Sequence, residues 1–345
     1  MEQFCNIIPK VELHAHLNGS LSSETLLNLI KMKNLTQSDQ LINPSLLTYS
    51  GGRKTMTECF KLFSLIHQIT DSPEAIYRAA YDVIQDFSKD NVRYLELRST
   101  PRNIEGKMTK EQYIESVLTA IKDNAEKNPN IIVKVLLSID RRNSLSEAYE
   151  TAKLAEKYMH LTDNDVVGVD LSGDPQIGDV QSFLPVLQYA RQNNLKLALH
   201  ISEIPGRNNE TEILLSLPPD RIGHGTFLHD CENAKSRAES LKIPIEMCLT
   251  SNLISGTVKS YEDHHFKLWF EKNHPCIICT DDKGIFGTSL SREYYITAEK
   301  FSLSEDDVWN LSYHSIDYIF ADFDMKETLK NSWISEKDKV FKAIK

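Results

Sequence analysis

Long apolar runs are missing from this chain of 345 residues: no stretch approaches the roughly 20 apolar residues that a membrane-spanning helix needs. The start, Met1-Glu2-Gln3-Phe4-Cys5, has no basic segment followed by an apolar one, so no secretory signal is expected. Cysteine is scarce, with six residues scattered outside any disulfide-framework spacing. Cys276-x-x-Cys279 has the formal spacing of a redox or zinc motif, but it lies in an apolar run without a second pair, so a buried structural role is expected. With only 13 glycines and 12 prolines there is no low-complexity tract, tandem repeat or linker, and residues 1–345 are expected to form one catalytic domain. Basic charge is also in deficit. A net charge of -10 argues against a nucleic-acid polymer or an acidic membrane surface as partner, while leaving room for a local pocket that takes one phosphate. A cytoplasmic monomer is the expectation, in which Asn18-Gly19-Ser20, formally a glycosylation sequon, stays unmodified.

What the chain does contain is a steady alternation of short β-rich runs and amphipathic helices. Strands are expected at 10–17, 92–99, 131–139, 166–171, 195–202, 221–224, 243–250 and 276–281. Helix starts are legible between them: Ser72-Pro73-Glu74 puts proline at the first helical position, and Thr109-Lys110-Glu111-Gln112 has the form of a capping box. Eight strands separated by helices predict an α/β fold, a (β/α)₈ TIM barrel with additional helices after strand 1 and at the C-terminus. Such barrels place their chemistry at the C-terminal ends of the strands. His16, Arg98, Asp140, Gly173, His200, His224 and Asp281 all fall at or just beyond those ends.

In Lys10-Val11-Glu12-Leu13-His14-Ala15-His16-Leu17, residues two apart share a strand face, so His14 and His16 project together and could grip one ion. Matching partners close later strands: His200, and one aspartate of the Asp281-Asp282 pair. Imidazole and carboxylate together suit Zn²⁺, whereas Mg²⁺ or Ca²⁺ would favour oxygen ligands alone.

Pro9 to Leu17, Ser172-Gly173-Asp174, His200-Ile201-Ser202-Glu203, His224-Gly225 and Thr280-Asp281-Asp282, in that order, resemble the adenosine deaminase family over nearly the whole chain. The resemblance implies a barrel of the metal-dependent hydrolase type and one Zn²⁺ per chain, with hydrolytic loss of the amine at purine C6. It implies His14, His16, His200 and Asp281 as metal ligands, and Glu203 as the proton donor to N1. It also implies His224 as the residue that orients and polarises the attacking water, and Asp282 and the Gly173 N–H as contacts to the base. Simpler roles compete: a core histidine for His224, a helix N-cap for Asp282 and a left-handed turn for Gly173.

One departure bears on the substrate. Ordinary adenosine deaminase has aspartate two residues after the second metal-binding histidine; here that position is Asn18. Repulsion between like charges a few Å apart is worth a few kcal/mol, so the neutral amide permits a 5′-phosphate. Ser99-Thr100-Pro101-Arg102 offers hydroxyls and a guanidinium suited to that phosphate. The stretches around His14, Arg98 and Gly173 resemble the adenosine deaminase-like branch, which implies hydrolysis of N6-methyl-AMP to IMP and methylamine. On that resemblance His16, Asn18, His67, Ser99, Thr100, Pro101, Arg102, Asp140, Gly173 and Asp282 line the substrate site. Adenosine or AMP deamination is the nearest alternative, and an inactive nucleoside-binding protein a further one. A binuclear hydrolase with a carbamylated lysine is disfavoured, because strand 4 ends in Leu171-Ser172-Gly173.

Overall fold

Eight parallel strands lie side by side in chain order: β1 (Lys10–His16), β2 (Val92–Ser99), β3 (Ile132–Asp140), β4 (Val166–Ser172), β5 (Lys196–Ile201), β6 (Arg221–His224), β7 (Ile245–Met247) and β8 (Cys276–Ile278). The computed structural model describes residues 1–33, 56–162 and 164–344. The sheet closes on itself just past β8: the His16 N–H donates to the Asp281 carbonyl at 3.0 Å, and the Asp281 N–H to the His14 carbonyl at 2.8 Å. The result is the (β/α)₈ barrel that the alternation predicts.

Strand alternation explains how a buried strand can carry charge. Val11, Leu13 and Ala15 of β1 join the hydrophobic core, while Lys10, Glu12 and His14, also fully buried, turn the other way. Glu12 reaches across the closure, accepting from the Thr280 N–H at 3.0 Å and the Thr280 hydroxyl at 2.7 Å. Lys10 ties the N-terminal helix Glu2–Ile7 to the barrel by donating to the carbonyls of Cys5 and Ile8 at 2.9 Å each. Burial pushes its ammonium down to about 8.

The helix starts are as expected. Ser72 caps the helix Pro73–Lys89, and Thr109 and Gln112 form a reciprocal capping box for Lys110–Lys127. Additional helices sit between β1 and β2 (Ser23–Met32, Met56–Ile69, Pro73–Lys89) and at the C-terminus (Leu290–Phe301, Glu305–Ser315, Phe323–Ala343). Two strands are much shorter than expected, while 10–17 and 195–202 lose only one or two residues. The run 243–250 keeps only Ile245–Met247 as strand, because Glu293 accepts the Thr250 N–H at 3.0 Å and stabilises the start of the helix Leu249–Ile254. The run 276–281 keeps Cys276–Ile278, and Asp281 leaves extended geometry with φ 60°. Cys276 and Cys279 are free, buried thiols, and burial pushes both upward in pKa, which leaves them as inert thiols. No helix among the described residues is long and apolar enough to cross a membrane.

Candidate active site

At the carboxyl-terminal rim the ring nitrogens of His14, His16 and His200 lie within 4.8 Å of one another. His16 Nε2 is 3.3 Å from His200 Nε2, and Asp281 Oδ1 stands 3.5 Å from His16 Nε2 and 3.6 Å from His14 Nε2. These separations, across groups that make no direct hydrogen-bonded pair through His14 Nε2, fit donors arranged around a common cation. His14 Nε2 is buried and has no hydrogen-bond partner. Burial, partly offset by Asp281, pushes the His16 imidazole down to about 3, which keeps it in the neutral form a ligand requires. Burial works against ionisation of Asp281, but His14, His224 and His16 outweigh it and hold that carboxyl well below the usual range. The donor set therefore suits a divalent cation.

Carboxylates deeper in the barrel aim these imidazole rings. Glu246 accepts from His14 Nδ1 at 2.7 Å, and Asp170 from His200 Nδ1 at 2.8 Å. Each such bond places the ring proton on Nδ1 and turns the Nε2 lone pair toward the rim. One fully buried guanidinium, Arg98, touches both carboxylates, Asp170 at 3.3 Å and Glu246 through a very short contact. Arg221 holds Glu246 from the other side at 2.7 Å. Against the cost of burial, Arg98 and Arg221 hold Glu246 well below the ordinary range, so it stays an acceptor. The negative surroundings also favour positive charge at the rim: burial opposes it, yet Asp170 and then Glu203 lift His200 to about 9. Ser251 donates to the remaining oxygen of Asp281, Oδ2, at 2.7 Å. Asp170, Glu246 and Ser251 are absent from the sequence expectation. A lone acid inside an otherwise apolar strand was the available signal for the first two, since a buried charge persists only when paired.

Glu203 and His224 face the same space. Their Oε1 and Nε2 are 3.2 Å apart, and His224 Nε2 lies 3.9 Å from Asp281 Oδ2. Burial, with a further contribution from Asp281, raises the Glu203 carboxyl above its ordinary value although His200 opposes the shift. His224 Nδ1 has no partner among the described residues, so its ring is not satisfied as a core histidine would be. Three residues at this rim adopt left-handed backbone: Ser202 (φ 56°), His224 (φ 59°) and Asp281 (φ 60°). Each such conformation costs on the order of 1–3 kcal/mol in a non-glycine residue, and persists where surrounding structure enforces it.

The remaining candidates spread outward from this cluster. Asn18 lies in the turn Asn18–Ser20 with its Oδ1 buried and unpartnered. Its neighbour must be glycine, because a Cβ at Gly19 would come within 1.6 Å of Asp282 Oδ1. Asp282 occupies the N-cap position of Lys283–Phe286 but makes no side-chain cap bond. Burial, then the charges of Asp281 and Glu203, push Asp282 well above the carboxylate range. Gly173 (φ 101°) follows β4, where a Cβ would sit 2.4 Å from Asp140 Oδ1. Asp140 itself accepts from the Arg142 N–H and Nε at 2.9 Å each. His67 lies on the helix Met56–Ile69, where partial desolvation followed by Arg102 and Arg142 pushes its imidazole down to about 4. Ser99 is buried against Tyr113, Thr100 is half-buried, Pro101 is buried, and Arg102 is half-buried with Nη2 donating to the Thr70 carbonyl at 2.9 Å.

Histidines on β1 and β5 and an aspartate after β8, gathered at one end of a parallel barrel, define a barrel of the metal-dependent hydrolase type. The chain belongs to the adenosine deaminase family, whose model matches residues 9–336. It is 49% identical over 344 residues to the N6-Methyl-AMP deaminase of Homo sapiens, covering 98% of this chain and 96% of the human one. It superposes on the apo structure of the N6-methyl-AMP deaminase from Arabidopsis thaliana with a TM-score of 0.90 at 37% identity, covering 98% of this chain and all of that one. An Arabidopsis protein complexed with IMP matches with a TM-score of 0.88 at 37% identity, covering 98% of this chain and 99% of that one.

Proposed function

We propose that this chain is a hydrolase that converts N6-methyl-AMP and water to IMP and methylamine, using one Zn²⁺ held by His14, His16, His200 and Asp281. The convergence of these donors beside the Glu203–His224 pair carries the reading. The human relative's name and the IMP bound to the Arabidopsis protein support the choice of purine nucleotide. A divalent cation at this place supplies a Lewis acid that lowers the pKa of water several units toward neutrality.

The chain's own residues then have distinct tasks. Glu203, shifted toward the protonated carboxyl, donates to purine N1 as water adds to C6. His224 Nε2 and Asp281 Oδ2 face that water, and one of the two accepts the single proton it loses. As the C6–N6 bond breaks, the proton taken from water passes to the departing methylamine, and the new C6 hydroxyl returns its proton to Glu203, leaving the 6-oxo group with N1–H. Asp282, biased toward its neutral form, donates to a ring nitrogen, and the Gly173 N–H orients the base. Asn18 leaves the phosphate side uncharged, Ser99, Thr100, Pro101 and Arg102 line that side, and His67 and Asp140 join the substrate site. The buried free thiols of Cys5, Cys231, Cys248, Cys276 and Cys279 suit a reducing compartment, which supports a cytoplasmic enzyme.

Turnover of N6-methyl-AMP, AMP and adenosine, measured side by side on the zinc-loaded protein, tests the reading. Preference for the methylated nucleotide is expected; rapid adenosine turnover with none on N6-methyl-AMP would overturn it.

A further inference from the structure

We infer that Tyr113 and Thr70 form a rigid scaffold that pre-organises Ser99 and Arg102 to receive a 5′-phosphate, which makes Tyr113 a positioning residue for nucleotide over nucleoside. The inference rests on the nucleotide reading above and names the device that enforces it.

Tyr113 is buried on the helix Lys110–Lys127 and touches both proposed phosphate ligands. Its hydroxyl lies 2.6 Å from Ser99 Oγ, and its ring centroid lies 5.8 Å from the Arg102 guanidinium carbon. A phosphate oxygen accepts hydrogen bonds, so Ser99 serves it only with its own hydrogen turned outward. When the phenol donates to Ser99 Oγ, the serine hydrogen is left for the ligand. The guanidinium is fixed in the same way. Arg102 Nη2 donates to the Thr70 carbonyl at 2.9 Å and to Thr70 Oγ1 at 3.0 Å, while Thr70 Oγ1 donates to the Ile66 carbonyl at 2.7 Å. Because the guanidinium is planar, anchoring both Nη2 hydrogens sets the plane of the remaining donors. Arg102 Nε is buried and has no partner among the described residues, a donor held ready for a ligand. Thr70 ends the helix that carries His67, so one network fixes the β2 loop and that helix together. A ligand meeting side chains already held in place avoids the entropic cost of ordering them, whereas a nucleoside gains nothing from the arrangement.

The test uses zinc-loaded full-length protein and compares N6-methyl-AMP with N6-methyladenosine for the natural chain, Tyr113→Phe and Thr70→Val. Calorimetric binding of IMP and of inosine provides a readout independent of turnover. Tyr113→Phe is expected to raise KM for the nucleotide and the IMP dissociation constant by about tenfold, with kcat held within about twofold. Inosine binding should stay put, so the nucleotide-to-nucleoside ratio falls about tenfold. Thr70→Val should shift the same ratio in the same direction, and it decides the matter if Tyr113→Phe does not fold. Equal losses on both substrates, or no change in the ratio, would overturn the scaffold while a natural-chain preference for the nucleotide leaves the functional reading standing. A natural chain without that preference overturns both.

Discussion

The lower barrel and its rim treat buried polar groups in opposite ways. Below the rim, charge is matched. Lys10 has two carbonyls, and Glu12 accepts from the His14 N–H as well as from Thr280. Glu96 accepts from the Tyr94 hydroxyl at 3.0 Å, from the Phe320 N–H at 2.6 Å and from Arg221. At the rim, His14 Nε2, His224 Nδ1, Asn18 Oδ1 and Asp282 Oδ1 are buried without a partner among the described residues. An unsatisfied buried group costs about 1–3 kcal/mol. The deeper carboxylates and the Lys10 ammonium are satisfied, with Arg98 Nε an exception, whereas the open groups gathered at the rim are kept for something other than stability.

Substitutions can break this contrast from either side. Glu203→Gln keeps the shape of the rim but removes the transferable proton; turnover should fall by about 10²- to 10⁴-fold. Elemental analysis should find the metal content unchanged, and a variant that turns over normally would show the acid to be misassigned. Glu246→Gln strikes the junction between the two regions. It strips charge from a group that holds Arg98, Arg221 and His14, and is expected to cost about 3–5 kcal/mol in urea unfolding. Chelator competition should show metal affinity down by about 10- to 100-fold; full affinity would separate Glu246 from the aiming of His14.

Lys10→Met tests the lower barrel alone. With a folded pKa of about 8 against an ordinary 10.5, the unfolded chain binds more protons between those values, so this residue makes stability rise with pH across that window. The rise is about 3 kcal/mol at 1.36 kcal/mol per pKa unit. Urea midpoints should show that the variant lacks it, with kcat at neutral pH unaltered; an identical pH slope in both proteins would refute the assignment. The mildest effect is expected from Asn18→Asp, which places a negative charge on the phosphate side of the rim. KM for N6-methyl-AMP should climb by about 10- to 100-fold while the nucleoside is untouched. A KM that does not move would mean that the phosphate binds elsewhere.

The sequence made the rim more legible than its support. His14 and His16 announce themselves by two-residue spacing, and His200, His224 and Asp281 by their places at strand ends. Strand order followed from the alternation of β-runs and helices. The aiming carboxylates were harder to read because their meaning lies in pairs formed across the barrel: Asp170 with a histidine one strand away, and Glu246 with one from the opposite end of the chain. The short β7 has the same origin. Ile243 to Thr250 reads as strand on local preference, yet Glu293, 43 residues beyond Thr250, recruits that backbone into a helix. Tyr113 gave no local sign at all, since a tyrosine on the buried face of an amphipathic helix looks like ordinary packing until its hydroxyl is seen to meet Ser99.

The left-handed turns at Ser202, His224 and Asp281 set a limit on how robust this molecule can become. At His224 and Asp281 the torsion holds a rim side chain in place, and at Ser202 it sets the backbone just before Glu203, each a conformation the chain would rather abandon. Selection for heat tolerance would therefore press against catalytic aim at these three positions: a descendant that let them relax would melt later and work more slowly.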